Sequence, residues 1–125
     1  MNNLIHAIRK HLGPEFVKPA NRKHRPDNAV ASWGCCYAAV EALYYLGARD
    51  EGFVPAYVVP QPIEGSIFST HWILIRVDGR VYDPTADQFL YRPNYSGARR
   101  CGFQTKRPSA RAKKLIDLVK SDMRG

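Results

Sequence analysis

Apolar residues recur along this chain with two periods, one helical and one of alternating strand type. Near the start, Leu4, Ile5, Ile8 and Leu12 fall on one stripe, and Asn2 or Asn3 can cap it. The spacing predicts a helix over residues 2–12, ended by Gly13-Pro14. A second helical run follows Gly34, where Cys35-Cys36-Tyr37-Ala38-Ala39 opens into Val40, Leu43, Tyr44 and Gly47 at helical spacing. Gly34 permits a tight entry turn, and Gly47 sits where a left-handed C-terminal cap is expected. A third stripe, Leu115, Leu118, Val119 and Met123, predicts a last helix starting at Pro108-Ser109, with Ser109 as cap. Arg111, Lys113, Lys114 and Lys120 cover its other face.

Between the second and third helices the pattern changes to β. Phe53 to Val59 reads as a strand, with Pro55 arguing for an edge or a bulge. Residues 60–70 hold Pro60, Pro62, Gly65 and Ser66 and predict a loop. His71 to Thr85 is two β-rich runs around Asp78-Gly79, a strong hairpin signal. Loop length decides what shares a face. A two-residue loop pairs Val77 with Arg80 and puts His71 and Asp83 on opposite faces. A three-residue loop, Val77-Asp78-Gly79 with Gly79 left-handed, pairs Arg76 with Arg80 and Ile73 with Asp83. His71 then lies diagonal to Asp83 on one face, roughly 7–8 Å away between backbones. The second loop is the expected one, because its last position wants glycine. Apolar groups on both faces of the first run suit a strand interior to a sheet. Residues 92–108 are rich in Gly, Pro and Arg and predict a basic loop region. The fold class that follows is α+β: a central helix packed on a small antiparallel sheet of about three to five strands, flanked by terminal helices.

Length predicts a single domain over 1–125, with a core at 28–91 and a basic C-terminal extension at 92–125. The net charge of +8 favours acidic proteins, nucleic acid or anionic surfaces as partners. Its densest stretches are 18–25 and 99–107, and the first also reads as an ordinary solvated loop bounded by prolines. Three cysteines, two adjacent and none in a CxxC pair, fit neither a disulfide framework nor a zinc site, and suit a reducing compartment. No signal peptide or transmembrane run is visible, so cytoplasmic residence, or delivery into a host cell as an effector, is the expectation, with no membrane partner. No glycine-rich phosphate loop occurs, and His6, His11 and His24 lack ligand spacing, so no cofactor and no metal are expected.

The chemistry lies in the order Cys, His, Asp. A cysteine on the first turn of a helix meets unpaired N–H groups and the positive end of the helix dipole, which favour a thiolate. A histidine can take and return a proton, and a carboxylate can fix its tautomer. His71 opens one strand and Asp83 closes the next. Cys35 reads as core packing, with a bond to its neighbour as a minor alternative, and Cys101 as an incidental surface thiol. Trp33 and Trp72 suit core or cleft walls better than a platform for bases.

Gly34-Cys35-Cys36-Tyr37-Ala38 is similar to the G-x-C-[WY]-[AG] nucleophile turn of papain-like cysteine enzymes. His71, followed by Asp78-Gly79-Arg80-Val81-Tyr82-Asp83-Pro84-Thr85-Ala86-Asp87-Gln88-Phe89, resembles the H-x(n)-DG-x-x-x-DPT-x-x-QF segment of compact papain-fold toxins and effectors, and the corresponding half of the transglutaminase-like core. The resemblance covers residues 28–89. It implies Cys36 as nucleophile, because an aromatic residue follows it, with His71 as acid and base and Asp83 as orienter. It further implies a thioester intermediate at an amide carbonyl of a protein substrate, with glutamine deamidation, peptide hydrolysis or acyl transfer as outcomes. The family usually places an oxyanion-hole glutamine six residues before the nucleophile, and here that residue is Val30. Asn28, or the Cys36 N–H together with Ser32, are the replacements to consider, and Gln88 is a candidate orienting residue. The missing glutamine and the short chain favour side-chain deamidation over proteolysis. The competing expectation, from charge alone, is a basic non-catalytic module or inhibitor that grips an acidic protein or nucleic acid.

Overall fold

The computed structural model describes residues 1–59, 70–89 and 92–124. Its centre is α3 (Cys36–Leu46), in which Ala38, Ala39, Val40, Glu41, Ala42 and Leu43 are all buried. Small alanines on several sides let neighbours approach this helix closely. α1 (Asn2–His11) and α4 (Ala110–Arg124) pack on α3 and on each other, while a four-stranded sheet packs against α3 as well. The short α2 (Pro19–Arg22) lies between α1 and α3 in the chain. The architecture is α+β.

The sheet is antiparallel throughout and runs β3-β2-β1-β4, with β1 at Val54–Val58, β2 at His71–Ile75, β3 at Val81–Tyr82 and β4 at Arg99–Arg100. One face presents Trp72, Leu74 and Tyr82 to the main core; the other gathers Ala56, Val58 and Ile73 into a smaller cluster with Ile75, Val81, Tyr95 and Ala98. β2 is therefore interior and apolar on both sides, as alternation in its sequence requires.

The β2–β3 register pairs Leu74 with Tyr82 and Ile75 with Val81, which fixes the three-residue loop. Arg76 N–H donates to the Arg80 carbonyl at 3.0 Å, and Gly79 takes φ +92°. Asp78 accepts from the Arg76 guanidinium and from the Arg80 N–H, tightening the turn.

Several expectations are revised. Gly47 is extended, at φ 170°, not left-handed. The position is instead closely approached: a Cβ would meet Met1 Cε at 3.3 Å and Leu4 Cδ1 at 3.4 Å, so α1 crosses near it and any larger residue would ask those side chains to give. β1 is interior rather than an edge, although it holds Pro55. The Pro55 carbonyl accepts from Cys101 N–H on the β4 side, so the missing donor faces that two-residue strand and spares the β2 ladder. The basic stretch at 18–26 contains α2, started by Pro19 at its first position. The region 92–108 contributes a 3₁₀ turn at Tyr95–Gly97 and β4. On α4 the buried residues are Ala112, Leu115, Ile116 and Val119, whereas Met123 is 54% exposed. The cap of α1 is Met1 without a side-chain bond. The loop expected at 60–70 lies outside the described residues except for Thr70.

Residues 92–124 are part of the packed unit: they supply β4, two residues packed on the small cluster and the buried face of α4. Ser109 caps α4 as its pattern predicts, its hydroxyl accepting from Ala112 N–H at 3.3 Å. The same hydroxyl donates to Glu41 Oε1 at 2.7 Å, and Ser109 N–H donates to Glu41 Oε2 at 3.0 Å. A fully buried carboxylate on α3 thus holds the start of α4. Among the described residues, no helix is long and apolar enough to cross a membrane.

Candidate active site

The entry turn of α3 is built before the thiol is placed. Trp33 N–H donates to the Val30 carbonyl and Cys35 N–H to the Ser32 carbonyl, and Gly34 takes φ +72° between them. Arg25 pins the turn by donating to the Val30 and Trp33 carbonyls at 3.1 and 3.2 Å. This sets Cys35 at the N-cap of α3 and Cys36 at its first residue. Both neighbours are largely buried, Cys36 at 9% exposed, but they meet different surroundings. Cys35 is fully buried, its thiol donates to the Gly13 carbonyl at 3.4 Å, and burial pushes its pKa up to about 11, so it is an inert packing group. Cys36 lines a cleft of about 320 Å³. All three cysteines are free, with Cys101 exposed.

His71 opens β2 and is sealed from water. Its Nε2 lies 2.7 Å from Asp83 Oδ1, and both side chains are 0% exposed. The second carboxylate oxygen of Asp83 accepts from the Tyr95 hydroxyl at 2.5 Å, which in turn accepts from Arg92 Nε at 3.3 Å. Burial holds the Tyr95 proton in place, with its pKa raised to about 12, so it serves as a donor. Burial alone would push the His71 imidazole down; hydrogen bonds to Asp83 and Cys36 and the charges of both override it and raise the pKa to about 9. The imidazole thus holds Asp83 on one nitrogen and also interacts with the Cys36 thiol.

Gln88 joins the two halves. Its carbonyl oxygen accepts from Gly34 N–H at 3.1 Å, its amide donates to Thr85 Oγ1 at 3.0 Å, and that amide also reaches His71 Nδ1 at 3.5 Å. One side chain therefore ties the nucleophile turn to the histidine strand. Phe89 closes the ring edge-on, with centroids 4.7 Å apart.

The structure brings together Cys36, His71, Asp83 and Gln88. It does not bring in Ser32 or Asn28. The Ser32 hydroxyl donates to Asp87 at 2.6 Å, and Asp87 is held by Arg9 at 3.0 Å. Ser32 lines a different cavity, of about 630 Å³, between α1 and the entry turn. Asn28 is exposed and lines neither cavity, and Val30 is 46% exposed. The neutral side-chain amides that line the Cys36 cleft are, among the described residues, Asn21 from α2 and Gln104, and the first-turn N–H groups of α3 at Cys36 lack intrahelical acceptors. Trp72 and Tyr37 form an aromatic wall, their rings 4.9 Å apart and edge-on, backed by Phe103 at 6.0 Å from Trp72.

Three contributors escape the sequence. Tyr95 and Asn21 sit in stretches that read as plain loop, with no spacing to single them out. Arg111 lies beside the inward face of α4 and reads as solvent-facing, yet it lines the cleft. Among the described residues, no three His, Cys, Asp or Glu side chains cluster to hold a metal ion. Compared with known families, curated proteins and solved structures, the chain matches none.

Proposed function

We propose that the protein is a papain-like thiol enzyme that acts on an amide of a protein substrate through a thioester. The observation that carries this reading is a buried His71–Asp83 pair whose imidazole interacts with a thiol lining an open cleft. A purely structural histidine has no need of both a carboxylate on one side and a cleft-facing thiol on the other. The Cys36 sulfur, having given its proton to His71, attacks the amide carbon. The oxyanion so formed is met by the Cys36 N–H and by Asn21 or Gln104 from the cleft wall. His71 then protonates the leaving nitrogen, the C–N bond breaks, and ammonia or an amine departs, leaving the thioester. Water, deprotonated by His71, attacks the thioester; the C–S bond breaks, and the acid and the free thiol are released. An amine in place of water gives transamidation. Asp83 keeps His71 in the correct tautomer, and Tyr95 and Gln88 position that pair. A small cleft favours entry of one side chain, hence glutamine deamidation ahead of peptide cleavage.

The test is a comparison of wild type with Cys36→Ala on an acidic protein fraction, scored by mass spectrometry for glutamine-to-glutamate conversion, new chain ends and amine incorporation. Conversion that depends on Cys36 supports the reading, and an identical pattern from both proteins overturns it. A second reading, a basic binding module, is favoured by the net charge of +8 and by the exposed Arg99, Arg100, Lys106 and Arg107. It requires salt-sensitive binding that Cys36→Ala leaves unchanged, with no conversion of the partner.

A further inference from the structure

The cleft in front of Cys36 is charged in one sense. Lys18, at the start of α2, and Arg111, in the first turn of α4, both line it, and among the described residues no acidic side chain does. Neither cation has an acidic partner within ion-pair distance among the described residues. The buried Nε of Arg111 has no hydrogen-bond partner there at all. A buried guanidinium nitrogen without an acceptor is costly, and native proteins rarely leave one unless a ligand completes it. Its nearest fixed surroundings reinforce the point. Glu41 of α3, the buried carboxylate that holds the start of α4, spends both oxygens on Ser109. The aromatic wall of Trp72 and Tyr37 lowers the local dielectric and strengthens any charge pair formed against it.

We propose that Lys18 and Arg111 form an anion subsite next to the nucleophile, so that the preferred acyl donor carries a carboxylate within about one residue of the amide under attack. This rests on the thiol-enzyme reading above and adds a substrate class to it: glutamine beside an acidic side chain, or beside a free C-terminal carboxylate. Arg111 offers a planar fork suited to a carboxylate, and Lys18 a mobile point charge at the rim. The two cations come from segments that flank the candidate triad in the chain, so the C-terminal helix contributes directly to what the cleft accepts.

The experiment compares two thiol reagents of nearly equal size and opposite suitability for such a subsite, iodoacetate with its carboxylate and neutral iodoacetamide. In each case the thiolate displaces iodide and forms a C–S bond. The rate constants at Cys36 are measured by peptide mass spectrometry, with Cys101 in the same molecule as the reference. The expected result is an iodoacetate-to-iodoacetamide ratio at Cys36 that falls roughly three- to tenfold in Arg111→Gln and in Lys18→Gln. Lys113→Gln, which removes an equal charge from the exposed side of α4, leaves the ratio unchanged. A ratio insensitive to both cleft substitutions, or equally sensitive to Lys113→Gln, overturns the subsite. Lys18 is exposed, so its variant keeps the test valid if Arg111→Gln does not fold. Failure of the underlying reading is separate: Cys36 would then react with iodoacetamide no faster than Cys101, whatever the ratio. Protection of Cys36 by blocked dipeptides distinguishes the two anion sources, one carrying glutamate after glutamine and amidated at its end, the other carrying two glutamines and a free carboxyl terminus. Protection by either, lost in Arg111→Gln, supports the subsite, and protection by neither overturns it.

Discussion

Asp83 has neither oxygen to spare, one facing His71 Nε2 and the other taking the Tyr95 proton. Replacing it with asparagine removes the negative charge that holds the imidazole near pKa 9. In Asp83→Asn the His71 titration, followed by NMR, is expected to move down, and iodoacetamide labelling of Cys36 at neutral pH to slow by roughly 10²-fold or more. An unmoved titration would mean that Asp83 does not govern the histidine. Tyr95→Phe tests the other oxygen. It leaves a buried carboxylate oxygen without its donor, so urea unfolding should report a loss of about 1–3 kcal/mol. Cys36, His71 and Asp83 were all legible as a set because their chemistry and order are specific. Tyr95 was not, since one tyrosine in a polar loop carries no positional signal until the fold closes over it.

Ser109 shows how much one residue can hold between elements. It caps α4 and supplies both donors to Glu41 of α3. Ser109→Ala should therefore lower stability by about 1–2 kcal/mol, read as a fall in Tm, because a cap and a donor to a buried carboxylate vanish together. The hairpin was readable to the residue, since its loop demanded glycine at a left-handed position and Gly79 is there. Gly47 was misread for an instructive reason: a glycine after a helix can serve a left-handed turn or a close crossing, and only tertiary packing tells them apart. β4 was invisible because two exposed arginines have neither alternation nor apolar content; pairing with β1 alone makes them a strand. The face of α4 was displaced toward Ile116 for a similar reason, because its first turn is steered by Glu41 and Ser109 rather than by the apolar stripe.

At the scale of the molecule, the His71 proton links folding to pH. Folded, the imidazole keeps its proton up to about pH 9, whereas the unfolded side chain loses it near its ordinary value of 6.5. A folded pKa raised in this way contributes stability that is complete below the unfolded value and fades as pH rises through the folded one. Urea midpoints should thus fall between about pH 6.5 and 9, and His71→Gln should lack that slope. A wild-type curve parallel to that of the variant would separate the imidazole from stability. The grip of Glu41 on Ser109 has a further consequence for the chain as an object. A nick in the backbone between residues 104 and 108 would leave both pieces clasped across the cut, still one body. Shortening the polypeptide to before Ser109 would instead strand a carboxylate in the interior of the nucleophile's own helix, and the loss would be felt at the far end from where the scissors fell.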